Sequence, residues 1–171
     1  MNKLDELAIK YGADKWGKHH YTPVYYTIFK DRIDKVKKVV EIGAGEGASR
    51  YMWEEFFPNA KIFSGEIEEG RLFKKGRIEV MKCDQHSEND LFALLKKTGK
   101  NIDLFIDDGS HISDHQVYTC LKVMPLLKKN AIYIIEDVAD EKIVTWLDEF
   151  NVERIRVGKR YDDVLVIVKH K

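Results

Sequence analysis

The stretch Lys38-Val-Val-Glu-Ile-Gly-Ala-Gly-Glu-Gly47 decides the fold class of this chain. Its first five residues are a strand-length run rich in β-branched side chains, and three glycines follow at every second position. Glycines after a strand let the backbone turn tightly and approach a ligand closely, and a following helix offers free N–H groups at its N-terminus. The pattern predicts a strand, a ligand-binding turn and a helix that begins near Ala48.

The rest of the chain repeats this alternation of strand and helix. Such alternation predicts a mostly parallel sheet with helices on both faces, here with seven strands. The last two predicted strands follow each other across a polar turn, which indicates an antiparallel hairpin. The predicted strands are residues 38–42, 61–65, 77–81, 102–106, 131–135, 152–157 and 164–168, and the predicted helices are residues 5–11, 23–33, 48–57, 88–97, 115–127 and 141–150.

Length and composition indicate one globular domain. The chain has 171 residues, of which 44% are hydrophobic and 34% charged, and its formal net charge is zero. A neutral chain gives no reason to expect a nucleic-acid partner, and no apolar run is long enough to span a membrane. Cys83 and Cys120 lack metal-type spacing and are expected to be reduced core thiols of a cytoplasmic protein, since the first residues carry no apolar signal region.

We therefore predict a single domain over residues 1–171. Residues 1–36 would supply N-terminal helices and a loop that contacts the cofactor or substrate, and residues 37–171 would form the sheet core. The sequence does not determine whether the chain forms a homo-oligomer.

Two predicted strands end in acidic residues at the edge where parallel sheets place their ligands. One strand continues into Asp107-Asp108-Gly-Ser-His111, and the strand at 131–135 continues into Glu136-Asp137. Adjacent strand ends that carry several carboxylates and an imidazole suggest a divalent cation beside a general base.

The glycine turn fits two kinds of cofactor. Gly43, Gly45 and Ala48 match the G-x-G-x-x-A form of a dinucleotide motif, so a nicotinamide-dependent oxidoreductase is an alternative. Glu41, two residues before the first glycine, and Gly47 instead resemble motif I of methyltransferases. That resemblance favours S-adenosylmethionine.

Two other strand ends carry candidate cofactor contacts. Glu66 ends the second strand and can accept hydrogen bonds from both ribose hydroxyls, because a carboxylate matches two adjacent donors. Asp84, after the third strand, resembles the methyltransferase acid that accepts from the adenine amino group, and Gln85 can assist it.

Together these motifs resemble one particular group of enzymes. The segments Asp107-Asp108-Gly-Ser-His111, His115-Gln116 and Glu136-Asp137 are similar to the macrocin/mycinamicin type of metal-dependent sugar O-methyltransferases. The upstream loop Tyr11-Gly-Ala-Asp-Lys-Trp-Gly-Lys-His-His-Tyr21 resembles the same family, and the likeness covers roughly residues 11–138. Five strand–helix units followed by a hairpin likewise resemble the Rossmann-like class I methyltransferase fold.

The resemblance implies an S-adenosylmethionine-dependent O-methyltransferase that modifies a hydroxyl of a sugar, glycan or other small molecule. It implies Mg²⁺ or another divalent cation, and His111 as the general base.

Alternatives are a metal-independent methyltransferase, a zinc site made by His111 and His115, and a non-enzymatic cofactor-binding scaffold. Asp107 is expected mainly to brace its turn, and Lys15 to pair with the cofactor's carboxylate. The implied cation ligands are Asp108, Glu136 and Asp137; the candidate cofactor contacts are Glu41, Gly43, Gly45, Gly47, Glu66, Asp84, Gln85, Asp107, Lys15 and Tyr21; and the candidate substrate contacts are His20 and His115.

Overall fold

A computed structural model describes residues 1–43 and 45–171, and Ala44 of the glycine turn lies outside the described residues. Strands and helices alternate along most of the chain. The strands are β1 (Lys38–Ile42), β2 (Lys61–Glu66), β3 (Lys74–Lys75), β4 (Ile78–Lys82), β5 (Leu104–Asp107), β6 (Ile132–Ile135), β7 (Asn151–Arg156) and β8 (Val164–Lys169), and the helices are α1 (Lys3–Tyr11), α2 (Thr22–Phe29), α3 (Ala48–Phe56), α4 (Glu88–Thr98), α5 (Ser113–Val123) and α6 (Ile143–Trp146).

Within these residues the strands form one mixed sheet of eight strands in the order β3-β4-β2-β1-β5-β6-β8-β7. The five central strands, from β4 to β6, run parallel. β8 pairs antiparallel with both β6 and β7, and β3 pairs antiparallel with β4. The expected number of seven strands was wrong because β3 is only two exposed lysines, which carry no apolar pattern.

The sheet separates two hydrophobic cores, and neighbouring strand residues alternate between them. Val39 of β1 and Leu104 of β5 belong to one core, while Val40 and Phe105 belong to the other. All four side chains are fully buried, and each such burial contributes about 2 kcal/mol. Helices α1, α2 and α3 cover the first core, and α4 and α5 cover the second.

The helices differ from the predicted ones mainly at their ends. Asn2 caps α1 by accepting from the backbone of Leu4 and Asp5, so this helix starts two residues earlier than expected. α2 stops at Phe29, and a short 3₁₀ turn, Ile33–Lys35, follows it. Among the described residues, the helices are all too short or too polar to span a bilayer.

Candidate active site

Three parallel strands end at the same level of the sheet. Ile42 of β1 pairs with Asp107 of β5, which in turn pairs with Ile135 of β6. The chain switches sides of the sheet at β1, and open α/β sheets bind ligands at such a point. The residues that follow these strands therefore meet at one edge.

Gly43 allows the β1 and β5 ends to approach each other. Its φ is +88°, and a Cβ atom added there would lie 1.8 Å from the backbone oxygen of Asp108. Any side chain at this position would push the two turns apart. A glycine is thus required by both the backbone conformation and the available space.

Asp108, His111 and Asp137 form a cluster at this edge. One potential ligand atom from each residue lies within 4.8 Å of the other two. His111 Nε2 is 3.2 Å from Asp108 Oδ1 and 3.5 Å from Asp137 Oδ2. Two carboxylates can hold a divalent cation, and the imidazole lies directly beside them.

The backbone of this cluster is strained at two residues. His111 has φ +56° and Asp137 has φ +51°, although neither is a glycine. This conformation costs roughly 1–2 kcal/mol for each residue, so the surrounding structure must hold it in place. Strain of this kind is often found where side chains are positioned for function.

A buried lysine lies behind the cluster. Lys15 Nζ donates to Asp108 Oδ2 at 2.8 Å and to Glu136 Oε2 at 2.6 Å, and it lies 3.4 Å from Glu41 Oε1. Burial lowers the pKa of Lys15, but the three carboxylates outweigh burial and hold that pKa well above its ordinary value. The ammonium group is therefore engaged by protein acids. This placement does not agree with the expected contact to the cofactor's carboxylate.

Glu136 is turned away from the cluster. Its two oxygens accept from Lys15 and from the Tyr25 hydroxyl, each at 2.6 Å, and the residue is 1% exposed. Burial raises the pKa of Glu136, and Lys15 opposes that rise. Of the three expected cation ligands, Asp108 and Asp137 thus lie together beside His111, while Glu136 packs against Lys15.

The N-terminal loop braces Asp137. The Tyr21 hydroxyl donates to Asp137 Oδ1 at 2.6 Å, and the His19 ring stacks on Tyr21 with its centroid 4.9 Å away. His19 Nδ1 is 2.9 Å from Asp163 Oδ1, next to β8. The Tyr21 hydroxyl therefore supports Asp137 of the cluster. This contact differs from the cofactor contact that was expected for Tyr21. Sequence reasoning missed His19 and Asp163, since no local pattern connects residues 144 positions apart.

A cavity of about 760 Å³ adjoins the cluster. Glu66, 5% exposed, lies at its side and accepts from the backbone N–H of Glu68 at 3.0 Å. Asp84 accepts from the backbone N–H of His86 at 2.9 Å. Several expected contacts line this space: Gly43, Gly45, Gly47, Glu66, Asp84, Gln85, Asp108, His111 and His115.

Glu41 is directed into the protein, and it is not among the residues that line the cavity. It is fully buried, and it accepts from Ser49 Oγ at 2.7 Å and from Trp53 Nε1 at 3.2 Å. A side chain in this buried position does not make the cofactor contact that was expected for Glu41. The acid instead ties β1 to the first turns of α3, because its strand position faces that helix.

Asp107 and Gln85 form an internal brace. Asp107 is fully buried, and it accepts from Gln85 Nε2 at 3.0 Å and from the Tyr133 hydroxyl at 3.1 Å. Burial raises the pKa of Asp107 to about 7. Gln85 Oε1 accepts from the backbone N–H of Ser110 at 2.6 Å. Asp107 therefore supports the Gly-Ser turn. The Gln85 side-chain amide supports the same turn, since it binds both Asp107 and the backbone of Ser110.

The two candidate substrate histidines differ in position. His115 lines the cavity, lies 3.0 Å from Ser110 Oγ, and stacks on His86 with centroids 4.3 Å apart. His20 is exposed and packs on Trp16 with centroids 5.0 Å apart, outside the described cavity lining. α5 begins at Ser113, so His111 precedes the helix and does not share a helix face with His115. The zinc alternative is therefore not supported.

A mixed sheet with a glycine turn at its switch point and an antiparallel β8 beside β6 has the architecture of an α/β methyltransferase fold. The MycE methyltransferase from the mycinamycin biosynthetic pathway, in complex with Mg and SAH, superposes with a TM-score of 0.82. This likeness covers 98% of the present chain and 54% of MycE at 24% identity. It shows the fold.

Sequence comparison identifies relatives more specifically, although no protein-family model matches the chain. It is 34% identical over 142 residues to the 8-demethyl-8-alpha-L-rhamnosyl tetracenomycin-C 2'-O-methyltransferase of Streptomyces olivaceus. It is 33% identical over 143 residues to the demethylmacrocin O-methyltransferase of Streptomyces fradiae, and 32% identical over 143 residues to the mycinamicin VI 2''-O-methyltransferase of Micromonospora griseorubida.

Each alignment covers 79% of this chain but only 37%, 36% and 36% of the three relatives. The relationship to macrocin/mycinamicin-type sugar O-methyltransferases, expected from the motifs, is confirmed. The chain spans little more than a third of the length of these curated relatives.

Proposed function

We propose that this chain is an S-adenosylmethionine-dependent O-methyltransferase that acts, with a divalent cation, on a hydroxyl of a sugar-bearing small molecule or glycan. One observation carries the proposal: the Asp108–His111–Asp137 cluster lies beside a cavity formed at the glycine turn. The named activities of the relatives support it, as does the MycE structure in complex with Mg, SAH and mycinamycin VI.

The cavity supplies the groups that a nucleoside cofactor needs. Gly43, Gly45 and Gly47 of the turn line the cavity and allow a close backbone approach, and the N-terminus of α3 follows directly. Glu66 presents a carboxylate at the end of β2, where it can accept from two neighbouring ribose hydroxyls. Asp84 lies on the same wall and can accept from an adenine amino group.

Asp108 and Asp137 would hold the cation, with His111 beside them. When bound, S-adenosylmethionine supplies an electrophilic methyl group, and the cation supplies positive charge that favours an ionised hydroxyl. The role of His111 is to take the hydroxyl proton at its ring nitrogen. General-base help of this kind contributes about 10²–10⁴-fold to a rate.

The protonation of His111 depends on the charge around it. Its hydrogen bond to Asp108 raises the pKa of His111. A cation held by Asp108 and Asp137 would oppose this rise in the pKa of His111 and so would favour the neutral imidazole that a general base requires. The acids and the base are thus expected to operate together.

Two measurements test the proposal. Calorimetric titration with S-adenosylhomocysteine and with NAD should show binding of the first, and binding of NAD alone would contradict a methyltransferase. Methyl transfer from S-adenosylmethionine to a panel of sugar acceptors should stop with EDTA and return with Mg²⁺. Activity that persists in EDTA would contradict the cation's role.

A matched pair of variants separates the cation site from general charge effects. Asp137→Asn removes a carboxylate from the cluster and should reduce transfer by roughly 10²-fold or more while S-adenosylhomocysteine still binds. Asp140→Asn changes the same group three residues further along, outside the cluster, and should leave transfer unchanged. Equal effects of the two variants would contradict the assignment.

A further inference from the structure

Lys15 binds some of the carboxylate oxygens at this edge of the sheet and leaves the others available to a cation. Its ammonium group occupies Asp108 Oδ2, so only Oδ1 of that residue faces His111. It also occupies Glu136 Oε2, and the Tyr25 hydroxyl occupies Glu136 Oε1. The acids are numerous here, but few of their oxygens are available to a cation.

This arrangement is fixed by burial. The Lys15 side chain is 0% exposed, as is that of Glu41, the third acid near its ammonium group. A charged lysine in such a place cannot leave without exposing several carboxylates to each other. Lys15 therefore behaves as a permanent internal cation next to the Asp108–His111–Asp137 cluster.

The number of available oxygens matters for the choice of cation. Ca²⁺ takes six to eight oxygen ligands and often binds both oxygens of a carboxylate. Mg²⁺ requires octahedral geometry, keeps several waters and needs only one or two carboxylates. A site that offers single carboxylate oxygens suits Mg²⁺ better than Ca²⁺.

We infer that Lys15 is a positioning residue that determines cation preference: by holding Asp108 Oδ2 and Glu136 Oε2, it makes the site favour Mg²⁺ over Ca²⁺. The inference rests on the cation site of the proposed function.

The test measures binding without any catalytic assay. Mn²⁺ is titrated into the whole chain while electron paramagnetic resonance records the free ion, and bound Mn²⁺ is then displaced with Mg²⁺ or Ca²⁺. The wild-type protein should prefer Mg²⁺. In Lys15→Met the ratio of Mg²⁺ to Ca²⁺ affinity should shift by about tenfold toward Ca²⁺, the size of effect that neighbours of metal ligands produce.

Lys18→Met is the matched control. Lys18 lies on the same loop, but it is exposed and pairs with Asp14 at 3.1 Å. Its loss removes the same charge and should leave the cation ratio within about twofold of wild type. A ratio that shifts equally in both variants would show a general charge effect and overturn the inference.

Removing Lys15 leaves Glu41, Asp108 and Glu136 unbalanced, so folding is checked by circular dichroism. If Lys15→Met does not fold, Lys15→Met with Glu41→Gln restores one unit of charge, and the same tenfold shift is expected. An unchanged ratio in either folded variant, or a wild-type preference for Ca²⁺, overturns the inference. Absence of any Mn²⁺ binding by the wild type would instead reject the cation site of the proposed function itself, and with it this inference.

Discussion

Replacing Gly43 by alanine is expected to be among the most damaging small changes in the chain. The added Cβ would lie 1.8 Å from the backbone oxygen of Asp108 and 2.9 Å from the Cα of Gly109. Backbone atoms cannot rotate away, so relief requires the β1 and β5 turns to separate. Overpacking of this kind costs about 1–3 kcal/mol, and the positive φ adds about 1–2 kcal/mol.

Gly45→Ala separates these two contributions. Gly45 belongs to the same turn and also has a positive φ, but among the described residues, its chain neighbours aside, a Cβ added there would meet no atom within 4 Å. This variant should lose only the backbone contribution of about 1–2 kcal/mol. The difference between the two variants is therefore the cost of the clash with Asp108.

Thermal unfolding followed by circular dichroism measures that difference. For a chain of this size, 1 kcal/mol corresponds to about 2–4 °C in Tm. Gly43→Ala should melt about 10 °C below wild type and Gly45→Ala about 4 °C below it. If Gly43→Ala melts no lower than Gly45→Ala, the close approach of the two turns is wrong.

Four further outcomes are expected. His111→Ala should lower methyl transfer by about 10²–10⁴-fold, with S-adenosylhomocysteine affinity within about twofold of wild type by calorimetry. Glu66→Gln should weaken S-adenosylhomocysteine binding by about tenfold or more, whereas the exposed Glu68→Gln should not. Tyr25→Phe removes a buried donor from Glu136 and should cost about 1–3 kcal/mol in urea unfolding. Burial raises the pKa of Asp107 from 3.8 to about 7, so ionisation opposes folding and stability falls as the pH rises from about 4 to 7. Asp107→Asn should remove about 2–4 kcal/mol of that decline, and an unchanged pH profile would contradict the shift.

The sheet was largely predictable because its signal is local. β1, β5 and β6 are short buried runs of branched and aromatic residues, and each is followed by a turn signal in the sequence. β3 was not predictable, since two lysines form a strand only through pairing with β4. α6 is shorter than expected, because helical periodicity alone does not fix where a helix ends.

The site was predictable in its location but less so in the direction of its side chains. Strand ends brought Asp108, Asp137 and His111 together, as the topology requires. The side chains of Glu41 and Asp107 face inward. Their direction depends on the alternation of side chains along each strand and on the buried hydrogen-bond donors that each carboxylate meets. Sequence spacing does not reveal those partners.

The contacts of Lys15 and His19 could not be predicted from the sequence for a similar reason. Their hydrogen bonds join the N-terminal loop to residues that are 93 to 144 positions away. Nothing in the neighbourhood of either residue in the sequence indicates such a partner. Only the assembled sheet brings them together.

The pairing of His19 with Asp163 has a consequence for the order in which the parts of the site form. One member lies ahead of β1, and the other directly precedes β8, which follows the other strands in chain order. Contacts this distant in sequence form late, because the intervening chain must first be ordered. The support for Asp137 is therefore completed only when β8 has joined the sheet. Until then, a chain whose other strands have already paired would still lack the complete support of the cluster.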